Sequence, residues 1–407
     1  MRIAFFVQAF PSLSETFILS QITGLLDRGH EVVVYSEQRP KSGLMHGAVG
    51  EYGLRDCTRY LDVRTEHGPS GSDLLTLARL AVRSPGSLLK LRREAASPFG
   101  GRLRLLRLLG RLGSDAGFDV LHAHFGTVAL RTRFARFRWP VPYVASFYGF
   151  DCSAFPLAEG AGVYDPLFAA ADRVTVLSGQ MRRRVRELGC PDDLIREHHI
   201  GVDLGAFAFR ERGTNVDGRP VRLLTVARLV EKKGVEDALR ALAALQDDNL
   251  HYTILGDGPL RAELEALATS LQVAGRVEFR GSADQATVRD EMDAADLFLL
   301  PSVTASNGDQ EGTPTVLMEA GAVGLPVVST LHAGIPEVVL DGVTGRLVAE
   351  RDPVALAEAL RKLLDAPGDW AAMGRAARDH IARHYDRSKL VGRLEDLYRE
   401  LIPSGAS

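Results

Sequence analysis

The chain lacks a surplus of charge of either sign: 49 Lys and Arg stand against 52 Asp and Glu, a formal net charge of −3. The basic footprint of a nucleic-acid-binding protein is therefore missing, and no nucleic-acid partner is expected. Cysteine is scarce. Cys57, Cys152 and Cys190 are odd in number and have neither metal-ligand nor redox spacing, so they read as small core residues of a reduced, cytoplasmic compartment. No apolar run approaches the ~18 residues that would cross a bilayer. The opening Met1–Pro11 places a basic residue before apolar ones, yet it is too short for a signal peptide and has no small-residue cleavage site, so it reads as a first buried strand. Asp-x-Asp does not occur, and no His/Asp/Glu cluster has metal-ligand spacing. Neither a metal nor a cofactor is expected. After the first strand comes Gln8-Ala-Phe-Pro-Ser where a dinucleotide dehydrogenase would carry Gly-x-Gly-x-x-Gly.

What is present is a globular chain of 407 residues, 45% apolar, long enough for two cores. Short β-rich runs alternate with helical segments. Runs at 3–9, 31–35, 119–123, 142–147 and 173–177 are followed, after a polar linker at 203–220, by runs at 221–226, 251–255, 277–279, 297–300, 326–329 and 346–348. Strand–helix alternation implies parallel sheets with helices on both faces. The predicted fold is α/β, with two doubly wound Rossmann-like domains at 1–205 and 206–385 facing a central cleft, the default ligand site. A tail helix at 386–407 follows. Residues 41–115 read as a long insertion between the second and third strands. Within it, about 90–111, Lys90, Arg92, Arg93, Arg104, Arg107 and Arg111 accompany Leu105, Leu108, Leu109 and Leu112. Two readings stand: a basic amphipathic helix resting on the inner face of a membrane or on a lipid-diphosphate acceptor, or a packed helix with a solvated Arg face.

The most informative stretch is Gln310-Glu311-Gly312-Thr313-Pro314-Thr315-Val316-Leu317-Met318-Glu319, after the apolar run that ends at Ser302. Thr313 is placed to cap a helix and Pro314 to occupy its first position. The amides of Thr315, Val316 and Leu317 would then face an anion at the carboxyl end of a sheet. Glu311 and Glu319 stand on either side to hold hydroxyls, so the stretch reads as a diphosphate site flanked by carboxylates. A second signature, Leu224-Thr-Val-Ala-Arg228-Leu-Val-Glu-Lys-Lys233-Gly234, puts two cations at a strand end facing the same crevice, where they can neutralise a diphosphate leaving group. Lys232 is expected to be solvated. A third, Asp119-Val-Leu-His-Ala-His124-Phe-Gly126, sets His122 and His124 on one side of a strand by period two.

These motifs resemble those of the family-4 retaining glycosyltransferases of the GT-B fold, whose signature is Glu-x7-Glu with Gly-Thr-Pro after the first Glu. The Pro-Ser-Leu-Ser14-Glu15-Thr16-Phe17 wording is nearest to the branch that builds exopolysaccharides such as colanic acid. The resemblance implies a metal-independent transferase that moves a hexose from a nucleotide sugar to a hydroxyl of a glycan, lipid-linked or small-molecule acceptor. It implies that Glu311 contacts sugar hydroxyls, Glu319 the ribose, Arg228 and Lys233 the diphosphate, and His124 the transferred sugar, with His122 packing. Gly256 and Arg280 would lie near the base, the latter through its backbone, and Gly312, Thr313, Pro314, Thr315 and Val316 would line the donor site. The family's usual His before Gly149 is Tyr148 in this chain, and the usual glycine pair of the first loop is absent. Ser14, Glu15, Tyr148 and Asp151 are the first-lobe candidates; Ser14 serves equally well as a helix cap. The resemblance also implies that residues 387–401 cross back to the first lobe. Two alternatives remain: an epimerase of nucleotide sugars on the same fold, and a two-lobed sugar-binding protein without chemistry.

Overall fold

The computed structural model describes residues 1–12, 15–40, 46–61, 108–112, 117–213, 218–245 and 249–403. Two entirely parallel sheets form. The first comprises β1 (Arg2–Ala9), β2 (Glu31–Gln38), β3 (Thr58–Tyr60), β4 (Val120–His124), β5 (Tyr143–Ser146), β6 (Arg173–Val176) and β7 (Ile195–Glu197), in the order β3-β2-β1-β4-β5-β6-β7. The second comprises β8 (Val221–Val226), β9 (Leu250–Leu255), β10 (Val277–Gly281), β11 (Leu297–Leu300), β12 (Val327–Thr330) and β13 (Gly345–Val348), in the order β10-β9-β8-β11-β12-β13. In each sheet the winding direction reverses once, between β1 and β4 and between β8 and β11. At such a reversal the two following loops diverge and leave a crevice at the carboxyl ends of the strands.

Parallel strands buried on both faces need apolar residues on both faces, and β1 (Arg-Ile-Ala-Phe-Phe-Val) and β11 (Leu-Phe-Leu-Leu) supply them. Ile3, Phe5 and Val7 pack against the helices Thr16–Asp27 and Arg387–Leu401, and Leu223, Ile254 and Leu299 against Val235–Leu245 and Pro353–Asp365. The remaining faces of the two sheets belong to one continuous core spanning both lobes. The final helix is capped by Asp386, whose Oδ1 accepts from Ser388 N–H at 2.8 Å, and it lies on the first lobe. There Val391, Leu394 and Tyr398 are buried with Ile3 and Phe5, and Arg28 pairs with Glu395 at 3.2 Å.

Several expectations are corrected. The 41–115 segment contains the helix Gly47–Glu51 and the edge strand β3, so it is not wholly an insertion, and β7 had no counterpart among the predicted strands. Each missed strand is three residues long, too short for a period-two pattern. In the 203–220 linker Arg212 is buried and donates to the carbonyls of Asp293, Ala295 and Val323 at 2.8–3.1 Å, fastening that residue to the second lobe. Leu108, Leu109 and Leu112 of the basic stretch are buried in the first-lobe core. Lys90, Arg92, Arg93, Arg104, Leu105 and Arg107 lie outside the described residues. Among the described residues, no helix is long and apolar enough to cross a membrane.

Candidate functional site

β8 ends where the second sheet reverses. Beyond it Arg228 is exposed, and its side chain has no hydrogen-bond or ion-pair partner among the described residues. The chain turns through Glu231–Lys233 and closes on Gly234 at φ +64°, where a Cβ would run into the Pro301 carbonyl. Only glycine permits that approach. It brings both lysines against the loop that leaves β11. Lys233 Nζ lies 2.7 Å from Glu311 Oε1, and Lys232 Nζ lies 3.0 Å from Asp309 Oδ2. The expectation that Lys232 is solvated is thereby corrected: its neighbour across the turn is a carboxylate.

The β11 loop is fastened along its length. Val303 N–H donates to Lys232 O at 2.9 Å, Thr304 N–H to Glu350 at 2.7 Å, Ser306 N–H to Glu231 at 2.9 Å and Glu311 N–H to His332 Nε2 at 3.0 Å. Glu311 is 8% exposed. Burial alone would raise its carboxyl, but Lys233 and Lys232 prevail and hold it below the ordinary carboxylate range. It is thus a buried anion already matched to a cation.

The helix after this loop spans Thr315–Val323 with Pro314 at the N-cap. The prediction of a Thr313 cap with Pro314 as first helical residue is one position too early, because Pro314 adopts ψ 117°, outside the helical region. Leu317 N–H is taken by Pro314 O at 3.1 Å, which leaves the amides of Thr315 and Val316, not three, at the open end. Thr313 Oγ1, freed from capping, is buried without a partner among the described residues. Gly312 and Thr313 abut Gly334, whose N–H donates to Gly312 O at 3.3 Å. Glu319 is half-buried, and desolvation pushes its carboxyl up to about 7. Gly256 closes β9 beside this crevice, its N–H donating to Gly281 O at 2.8 Å. The Arg280 side chain does not reach the crevice. It pairs with Glu278 and Glu291 and lines a separate cavity of about 370 Å³ on the sheet face with Arg222 and His251.

In the first lobe β4 carries His122 and His124 to its carboxyl end with ring centroids 4.3 Å apart. His122 is fully engaged, 2.6 Å from Tyr398 Oη and 2.7 Å from Ser146 Oγ, as a packing residue should be. His124 Nδ1 lies 2.8 Å from Tyr148 Oη, while Nε2 is buried with no partner among the described residues. Burial pushes this imidazole down to about 3, so it is neutral. Tyr148, which stands where the family's usual His would, is thus the hydrogen-bond partner of His124. Asp151 is completely buried, its carboxylate accepting Tyr148 N–H at 3.1 Å and Thr127 N–H at 3.2 Å. Both oxygens are spent on backbone amides that tie the β4 and β5 loops together. Glu15 is the N-cap residue of the first helix, half-buried, with its carboxyl pushed up to about 7 by desolvation. Ser14 lies outside the described residues.

The lobes meet at this point. A Cβ on Gly149 would run into the backbone of Gln310, Glu311 and Gly312, and Gln310 N–H donates to Ser153 Oγ at 3.1 Å. Glu337 of the second lobe accepts from Gly179 N–H at 3.3 Å and Gln180 N–H at 3.4 Å, at the start of the first-lobe helix Gly179–Glu187. The resemblance also implies that the Gly334 region of Leu331-His-Ala-Gly334-Ile-Pro-Glu337 lies near sugar or phosphate, but sequence reasoning gave no individual role to His332 or Glu337 within it, nor to Ser153, Glu231, Asp309 and Glu350. The strand-end positions of His332 and Glu350, directly after β12 and β13, offered a further signal.

Two doubly wound lobes whose reversal points face one cleft, with cations beside a buried carboxylate, define a GT-B glycosyltransferase architecture. Residues 208–380 match the family described as Glycosyl transferases group 1, and residues 14–201 match the Glycosyl transferase 4-like domain. The chain belongs to this glycosyltransferase family, which selects transfer over the epimerase and the binding-protein readings. It is 34% identical to WcaL of Salmonella typhimurium, named as a colanic acid biosynthesis glycosyltransferase, over 98% of this chain and 100% of that protein. It is 31% identical to AmsK of Erwinia amylovora, an amylovoran biosynthesis glycosyltransferase, with the same coverage. The fold is shared with Anabaena HepE in complex with UDP, at a TM-score of 0.72 and 17% identity, covering 98% of this chain and 100% of that one.

Proposed function

We propose that this glycosyltransferase is a retaining, metal-independent hexosyltransferase that uses a nucleoside-diphosphate sugar and extends a glycan acceptor in exopolysaccharide assembly. The observation that carries the reading is the group at the β8/β11 reversal: unpaired Arg228, the Lys233–Glu311 pair at 2.7 Å and the open amides of Thr315 and Val316. A diphosphate placed there meets Arg228, whose side chain has no partner among the described residues, the cation shared with Glu311 and the positive end of a helix, which together stabilise it as it leaves. Those same fixed charges support transfer without a metal. Glu311 then orients the sugar hydroxyls and Glu319 the ribose. His124, neutral and with Nε2 uncommitted, supplies a polar contact to the sugar; Glu15 and Tyr148 border the acceptor side. The sugar C1–O bond to the diphosphate breaks while the bond from C1 to the acceptor oxygen forms on the same face, and the acceptor proton passes to a leaving phosphate oxygen. The curated relatives named for colanic acid and amylovoran synthesis support a polysaccharide acceptor. Three free thiols support a cytoplasmic placement.

The test is a panel of UDP-, GDP-, ADP- and dTDP-hexoses incubated with purified protein in EDTA, scoring nucleoside diphosphate release and binding. Selective turnover of one donor is expected. Arg228→Ala should weaken binding of that donor by about 10- to 100-fold with little change in melting temperature, because Arg228 has no partner to lose. Absence of both turnover and binding across the panel overturns the reading.

A further inference from the structure

The transfer reading places Glu311 at the sugar but leaves open what holds Glu311 itself, and a second group of residues answers that. His332 follows β12 and is wholly buried. Its Nε2 faces the N–H of Glu311 at 3.0 Å, and a backbone N–H can only donate, so Nε2 is the unprotonated nitrogen. The proton is therefore on Nδ1, which lies 2.7 Å from Glu350 Oε1. Glu350 follows β13, and its other oxygen accepts from Thr304 N–H at 2.7 Å. One carboxylate and one imidazole thus fasten both ends of the 304–311 loop to the carboxyl ends of the two neighbouring strands.

We propose that His332, oriented by Glu350, is a positioning residue for sugar transfer: it fixes the main chain of Glu311 and through it the carboxylate that Lys233 pairs. The inference rests on the transfer reading, because it acts only through Glu311. The strand ends are rigid and the loop between them has no ladder of its own, so the imidazole supplies the hydrogen bond that a strand neighbour would otherwise make. The tautomer is set by its partners on both sides, as in other imidazoles held by a carboxylate. A misplacement of about 1 Å at a reacting sugar costs on the order of 100-fold in rate. Loss of the relay should therefore appear in kcat more than in donor KM, since Arg228 and the helix amides still hold the diphosphate.

The experiment compares His332→Ala, His332→Gln, Glu350→Gln and Glu311→Ala, using the UDP-, GDP-, ADP- or dTDP-hexose that the wild-type protein cleaves. Hydrogen–deuterium exchange is followed on the peptide spanning 303–312. Expected are kcat losses of about 10- to 100-fold in His332→Ala and Glu350→Gln, donor KM within about threefold, and exchange at least tenfold faster in that peptide. His332→Gln, whose amide oxygen reaches the place of Nε2, should recover most of the rate. If burial makes His332→Ala fold poorly, Glu350→Gln still breaks the relay: His332 and Thr304 donate to different oxygens of Glu350, the amide puts an NH2 donor in place of one of them, and the residue is partly exposed. Wild-type kcat in Glu350→Gln despite faster exchange overturns the proposal, as does His332→Gln behaving like His332→Ala. If Glu311→Ala stays active, the transfer reading itself fails; if Glu311→Ala is inactive while the relay variants are active, only this inference does.

Discussion

The two lobes use buried carboxylates in opposite ways. In the second lobe Glu311 is paired with Lys233, and the Arg228 side chain, five residues earlier, has no partner among the described residues. In the first lobe Asp151 is equally buried, but both of its oxygens are committed to the amides of Tyr148 and Thr127. The second lobe leaves charge and open amides for a ligand; the first commits Asp151 and His122 to itself and leaves His124 Nε2 without a partner among the described residues. A diphosphate is the same in every nucleotide sugar and needs fixed charge, whereas an acceptor hydroxyl needs shape and one or two polar contacts.

The comparison is broken most severely by exchanging the consequences of the two carboxylates. Glu311→Ala should lower transfer by at least about 100-fold in a protein that still folds. Asp151→Ala should instead cost stability, about 2–3 kcal/mol, because two buried amides lose their acceptor. Steady-state rates beside thermal melts check both. A Glu311→Ala protein with near wild-type turnover, or an Asp151→Ala protein with an unchanged melt, would erase the distinction.

A smaller effect sharpens a likeness between the lobes. Glu15 and Glu319 each have a carboxyl raised by desolvation from 4.5 to about 7. At these two carboxyls the folded protein keeps a proton that the unfolded chain has released, so their contribution to stability falls as pH rises from about 4.5 to 7 and is level above that, while the lowered imidazole of His124 acts in the opposite sense. Each group contributes at most about 3 kcal/mol to that decline. Glu319→Gln and Glu15→Gln should each flatten the pH dependence of denaturant midpoints and leave the variant more stable than the parent at pH 8. Glu319→Gln should lose donor affinity as it gains stability, whereas unchanged slopes would show that neither carboxyl is desolvated in solution.

Much of the second lobe could be read from residues alone, because its site lies on strand ends and a helix start whose chemistry is local. Arg228, Lys233, Glu311 and Glu319 each follow a recognisable run, and β8 and β11 have the expected bounds. Details that depend on backbone angle were displaced: Pro314 takes the cap position expected of Thr313. Contacts between residues far apart in sequence were invisible. His332 to Glu350, Lys232 to Asp309 and Glu337 to Gly179 join loops from separate strands, and no spacing marks such pairs. In the first lobe Asp151 has a site-like position in a loop after a strand, but only the fold shows that backbone amides consume it.

The smallest effect concerns the join between the lobes. Glu337 belongs to the second lobe, yet its carboxylate sits at the first turn of the first-lobe helix Gly179–Glu187, 3.3–3.4 Å from two amides that have no intrahelical partner. A charge in that position interacts with the helix dipole by about 0.5–1 kcal/mol, and Ser178 already caps Met181 N–H at 3.1 Å, so the helix does not depend on it. The energy is therefore available to hold the lobes together and not to fold either one. Glu337→Gln keeps an oxygen acceptor and removes the charge. The expected outcome is an unchanged melting temperature, a two- to fivefold rise in donor KM, and a rise that shrinks in high salt as the wild-type interaction is screened. A lowered melt with unchanged KM would move Glu337 from the closure of the cleft to the stability of a single lobe.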